Sequence, residues 1–119
     1  MSYDKEEKHG QRGHRAQRIE RTVADVLEYE ILPALENPAL EELHVLRVEA
    51  SNNLASLQIA IVPQRREVPQ PPDEIQAALT SAEGFVRSEL AGILRIKRMP
   101  VIRLRYIPLP LYGAEGGGA

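Results

Sequence analysis

Cysteine and tryptophan are absent from this sequence, and phenylalanine occurs once. Without cysteine there is no disulfide framework and no thiolate metal site, which is compatible with a reducing cytoplasm. With one Phe and four Tyr in 119 residues, the core must be aliphatic, built on Leu, Ile and Val. No stretch approaches the roughly 20 apolar residues of a membrane-spanning helix. The first residues, MSYDKEEKHGQRGHR, have no apolar run and do not read as a signal peptide. Catalytic patterns are missing as well. His9, His14 and His44 show no metal-ligand spacing, and there is neither a GxSxG nor a phosphate-binding P-loop. Adjacent acids such as Glu41 and Glu42 point apart on a helix or a strand, so they do not pair for acid–base work. The expectation is a protein that is not an enzyme and has no cofactor, no metal and no membrane partner.

What is present suits one small domain: 119 residues, 43% of them hydrophobic. The net charge of −2 hides a strong asymmetry. Residues 1–21 carry six Lys/Arg against four acids, and residues 95–119 carry five against one. Residues 22–50 carry a single Arg against seven acids. Basic ends around an acidic middle suggest an anionic partner for the ends; ordinary solvated surface is the plain alternative.

The pattern predicts five elements. Ile19, Val23, Val26, Leu27 and Ile31 fall on one face of a helix beginning near His14, which Pro33 should end or kink near Leu32. Residues 1–12 read as a disordered polar arm. LHVLRVEA (43–50) and LASLQIAIV (54–62) alternate as strands, with Leu46, Val48 and Ala50 expected on one face and Val45, Arg47 and Glu49 on the other. SNN (51–53) joins them as an antiparallel hairpin in which Asn supplies the left-handed residue. PQRREVPQPP (63–72) reads as a stiff proline-rich connector. Asp73 is an expected N-cap for a helix along Ile75, Leu79, Ala82, Val86, Leu90 and Leu94, closed by the cations of RIKRMP. VIRLRYI (101–107) is the third strand, and residues 108–119 read as a tail. Helix–strand–strand–helix–strand implies an α+β two-layer domain, a three-stranded sheet with helices packed on one face.

Three basic groups stand out: Arg12/Arg15/Arg18/Arg21, Arg95/Lys97/Arg98 and Arg103/Arg105. Such groups suit phosphate, which fixes position without reading sequence. Arg103 and Arg105 share a strand face and should stand on the open side of the sheet; keeping that face soluble is the plain alternative.

These residues in this order resemble ribosome-binding factor A, a bacterial ribosome-assembly family with a KH type II-like fold. HRAQRIERTVADVLEYEI resembles its first helix, and NPALEELHVLRVEASNNLASLQIAIV its turn and hairpin. ALTSAEGFVRSELAGILRIKRMPVIRLRY carries the family's Ala-x-Gly, then Phe and Arg, a long helix, a basic segment and Pro before the last strand. The resemblance covers about residues 12–107. It implies the order α-β-β-α(kink)α-β over residues 13–107, with the kink at Ala82, Glu83 and Gly84. It also implies a monomeric cytoplasmic assembly factor that binds the small (30S) ribosomal subunit and its rRNA. Such a factor assists late maturation and 16S rRNA processing, 5′ end included, without being a nuclease. The expected RNA-binding residues are Arg12, Arg15, Arg18, Arg87, Arg95, Lys97, Arg98, Arg103 and Arg105. Glu83 would repel phosphate at the kink, and a bent unit would make Gly84→Ala destabilising. The alternative is a KH-like protein-interaction module with little RNA affinity, motivated by Glu83 and the acidic middle.

Overall fold

A computed structural model describes the backbone of residues 2–65 and 70–108, and side chains from His14 onward. The first helix, α1, spans Ser2–Val26, so the stretch expected as a disordered arm continues the helix. Its buried stripe is the predicted one, Ile19, Val23 and Val26, with Ala16 added one turn earlier.

Pro33 ends this helix in stages. Leu27–Ile31 widens to a π-helical turn in which the Leu32 N–H donates to Leu27 O. Leu32–Ala34 then tightens to a 3-10 turn. Proline has no N–H to continue the ladder and its ring crowds the carbonyl four residues back. The widened turn precedes that contact and leaves Leu27, Ile31 and Leu32 all facing inward. A second 3-10 turn, Pro38–Leu40, is capped by Asn37, whose Oδ1 accepts from the Ala39 N–H at 2.9 Å.

The sheet has the order β1-β2-β3, with β1 at Leu43–Ala50, β2 at Ser56–Pro63 and β3 at Val101–Tyr106. β1 and β2 are antiparallel; β2 and β3 are parallel and joined through helix α2, Pro72–Leu94. A parallel pair needs such a crossover. Ala50, Leu57 and Ile102 form one inward row, and Val48, Ile59 and Leu104 the next. These side chains meet α1 and α2 in a single aliphatic core. Leu57, Ile59 and Ile61 on the central strand are fully buried. Each such side chain contributes about 1.5–3 kcal/mol.

Several local expectations are corrected. A bulge between Val45 and Arg47 shifts the phase of β1, so Val45 pairs with Ile61 on the inner side and Leu46 is the extra residue. In the hairpin the left-handed residue is Leu54 (φ 57°), not an asparagine. Asn53 is used instead as an acceptor for the Ala55 N–H (3.1 Å), and Ser51 Oγ accepts from Ala55 and Ser56. Leu54 packs against the core, which offsets its backbone cost. Of the proline-rich connector, Pro63 closes β2 and Pro72 opens α2, while residues 66–69 lie outside the described residues. The N-cap of α2 is Pro71 with no side-chain cap, and Asp73 lies in the first turn, where a negative charge still complements the helix dipole. The expected tail lies outside the described residues from 109 onward.

Both free edges of the sheet are closed by helix side chains. On the β1 edge, Glu28 Oε1 accepts from the Val45 N–H (2.7 Å) and Glu20 Oε2 from the Ala50 N–H (2.8 Å). On the β3 edge, Gln76 Oε1 accepts from the Tyr106 N–H (2.8 Å) and its Nε2 donates to Leu104 O (2.9 Å). Glu83 Oε2 accepts from the Leu104 N–H at 2.9 Å. Each helix thus does for its edge part of what another strand would do.

Candidate nucleic-acid interface

The register of the sheet gives the molecule two ends. Ala50, Leu57 and Ile102 mark one; Leu43, Pro63 and Tyr106 mark the other. Glu20 bonds at the first and Glu28 toward the second, so α1 lies along β1 with residues 15–20 at the first end. The hairpin and the segment from Arg95 to Pro100 are at that end too, since the Val101 N–H donates to Ala55 O (2.9 Å).

The two distant basic segments therefore lie at the same end of the sheet. Arg15 and Arg18 are exposed beside the buried stripe of α1. With Ile19 and Thr22 they face Ile93, Leu94 and Ile96 across a groove of about 320 Å³. On the outer side of α1, His14, Gln17, Arg18 and Arg21 line a second open hollow of about 440 Å³. Their spacing, i, i+3, i+4 and i+7, puts them on one helical face. The Arg12 side chain lies outside the described side chains.

The cations after α2 are not its last turn. The helix ends at Leu94 with no basic residue in that turn, and Arg95 takes the left-handed cap position (φ 54°, ψ 44°). Lys97 and Arg98 follow, both exposed, on the connection to β3. Arg87 from α2 fastens this connection: its Nε donates to Pro100 O (3.2 Å) and its terminal nitrogen to Met99 O (3.4 Å). These two bonds give Arg87, expected to contact RNA, a positioning role for the basic segment. A left-handed non-glycine residue costs roughly 1–2 kcal/mol. Arg95→Gly is therefore expected to raise the melting temperature by several degrees while removing one candidate contact. An unchanged or lower melting temperature would show that the arginine stem packs usefully.

Ala82, Glu83 and Gly84 lie inside α2, which is one continuous α-helix from Pro72 to Leu94, so the two-helix unit is not divided at this point. Gly84 keeps a negative φ, and a Cβ there would meet nothing within 4 Å. Neither a turn nor close packing on the sheet requires this glycine. Glu83 is 17% exposed; besides Leu104 it faces Arg103, Nη1 to Oε1 at 3.7 Å. Its charge is directed at the strand edge, not toward an outside ligand.

Arg103 and Arg105 are exposed and out of phase with the buried Ile102 and Leu104, as their alternation required, with Arg103 reaching round the β3 edge to Glu83 of α2. The structure adds Arg47, aligned with Ala60 and through it with Arg105. Sequence reasoning grouped cations by nearness along the chain; the signal for Arg47 was its polar phase in β1. Burial raises the Tyr106 phenol above its ordinary value, so that side chain adds no charge at neutral pH. The opposite end of the molecule is acidic: Glu28, Glu36, Glu41 and Glu42 line a hollow of about 580 Å³ with Leu32, Leu35 and Leu40. Among the described residues, no group of three His, Asp or Glu could hold a metal, and no helix is long and apolar enough to cross a membrane.

No family model matches the chain. A segment of 37 residues is 51% identical to ribosome-binding factor A of Desulfosudis oleivorans, covering 31% of this chain and 29% of that protein. The chain thus matches under a third of that relative's length. The crystal structure of ribosome-binding factor A from Thermus thermophilus superposes with a TM-score of 0.61 at 29% identity, covering 78% of this chain and 94% of that one. A homology model of the Thermus thermophilus factor, fitted into a cryo-EM map of its complex with the 30S subunit, gives 0.53 at 27% identity over 80% and 91%. A solution structure of a Thermotoga maritima protein, 23% identical with a TM-score of 0.54, shares the fold over 77% of this chain and 82% of its own.

Proposed function

We propose that this chain, which is similar to ribosome-binding factor A over most of its length, is a member of that family, binds the small ribosomal subunit through rRNA phosphates and assists late 16S rRNA maturation. It would act in the cytoplasm, as a monomer, by binding alone; processing would be done by other enzymes. The observation that carries this reading is the meeting of Arg15 and Arg18 with the Ile93–Ile96 segment at one end of the sheet. Arg15 and Arg18 on α1 and Arg95, Lys97 and Arg98 after α2, about 80 positions apart in sequence, would present their charges at the same end of the sheet, as phosphate contact calls for.

The competing reading, a protein-interaction module without RNA affinity, loses part of its motive. Glu28 and Glu83 accept backbone hydrogen bonds within the fold, so two of the acids that counted toward it are structural.

The test is co-sedimentation with purified small subunits on sucrose gradients across a salt series. Arg15→Glu, Arg18→Glu and Lys97→Glu together are expected to abolish it at moderate salt. Retained co-sedimentation of a folded triple variant would overturn the charge argument. Accumulation of unprocessed 16S precursor in cells lacking the protein, restored by the wild type and not by the triple variant, tests the maturation role.

A further inference from the structure

We propose that the open face of the sheet is a second contact for the RNA backbone, in which Arg47 and Arg105 act as a pair across the central strand. The inference rests on the reading that this chain binds rRNA.

The register places Arg47 opposite Ala60 on one side and Arg105 opposite Ala60 on the other. Neighbouring strands lie about 4.8 Å apart, so the two arginines rise from backbones about 10 Å apart with one small residue between them. Ala60 is 8% exposed while both arginines are exposed, so the row is a low floor between two long cations. The next row runs Glu49, Gln58, Arg103. Ala60 lies outside the aliphatic core, as expected for the face away from the helices.

These guanidiniums are available. Arg47 lies 3.8 Å from Glu49, with both side chains more than half exposed, a pair that water and salt weaken to near nothing. Among the described residues, no carboxylate lies within ion-pair distance of Arg105. Arginines that only kept the face soluble would not need to stand in register on both outer strands. The row lies one residue before Tyr106, at the far end of β3 from Arg95, Lys97 and Arg98, so it is a contact separate from the basic end already described.

The chemistry restricts what is bound. Sheets that read single-stranded RNA do so with aromatic rings on which bases stack. These two rows contain Arg, Ala, Glu and Gln and no ring. Their ligand is the phosphate backbone, held irrespective of base sequence.

The experiment measures anisotropy of two fluorescein-labelled 20-nucleotide RNAs, oligouridylate and a mixed unpaired sequence, over a salt series. Wild type is compared with Arg47→Gln/Arg105→Gln and with Arg15→Gln/Arg18→Gln, after thermal melts confirm that all are folded. The sheet variant is expected to bind both RNAs more weakly, its salt slope shallower by about 1.4, or about 0.7 per lost phosphate contact. Unchanged affinity and slope in the sheet variant would overturn the inference while leaving the proposed function intact if the helix variant is weakened. Loss on one sequence only would overturn the backbone assignment. A weakened sheet variant beside an unaffected helix variant would support this face and count against the cationic end. Wild type with no measurable affinity for either RNA would overturn both.

Discussion

Glu28→Ala is expected to lower the stability of the fold by about 2 kcal/mol, the largest effect expected from a side chain outside the apolar core. Glu28 is on the widened turn after α1, with 19% of its side chain exposed. One oxygen accepts from the Val45 N–H at 2.7 Å; the other lies 2.6 Å from His44 Nδ1. Removing a hydrogen-bonded partner leaves a part-buried donor unpaired, which costs about 1–3 kcal/mol. The contact with the half-exposed His44 adds little. For a domain of this size, 2 kcal/mol corresponds to a fall of roughly 8 °C or more in melting temperature. Glu28→Gln is the control. Its amide oxygen can still accept from Val45, so a loss under about 1 kcal/mol is expected. Combined with Glu20→Ala at the same edge, the loss should reach about 3–5 kcal/mol, with edge-to-edge association as a second symptom. A Glu28→Ala protein that melts with the wild type would show that the edge bond contributes nothing measurable.

Gly84→Ala with Gly92→Ala is expected to raise stability by about 2 kcal/mol. Glycine in a helix interior costs about 1 kcal/mol relative to alanine. Neither position has a positive φ, and a Cβ at either meets nothing within 4 Å. The sign therefore reverses the expectation drawn from the Ala-x-Gly resemblance, which required a bent unit that Gly84→Ala would damage. Chemical denaturation of the single and double variants reads the effect. Destabilisation by the alanines would mean that this helix needs more backbone freedom than its φ values show. Binding measured on the same variants separates two roles. A stabilised protein that no longer co-sediments with small subunits would place the glycines at a contact surface.

The chain by itself determined the elements and their order. Ile19, Val23 and Val26 at helical spacing, and Leu57, Ile59 and Ile61 at every second position, admit one periodicity each. Proline at 33 and at 100 limited where helices could run. The aliphatic core followed from the scarcity of aromatic residues, and the exposed phase of Arg103 and Arg105 followed from alternation. All of these are local, set by φ/ψ preferences and by which side of an element meets water.

Only the tertiary structure decided what the polar residues do. Glu20, Glu28, Gln76 and Glu83 look like solvated helix positions in the sequence, yet each hydrogen-bonds a strand 17 to 30 residues away. A carboxylate near a strand edge and one in water have the same one-dimensional signature. The difference is a backbone N–H that only the packed sheet supplies. The bulge that moves Val45 inward, the left-handed Leu54 and Arg95, and the row of Arg47, Ala60 and Arg105 are likewise consequences of register. Register is fixed when three strands and two helices share one core, because a one-residue slip would turn every buried side chain to the wrong face. The same constraint brings Arg15 and Arg18 to Ile93, Leu94 and Ile96. The sequence held the charges; the sheet set which of them stand together.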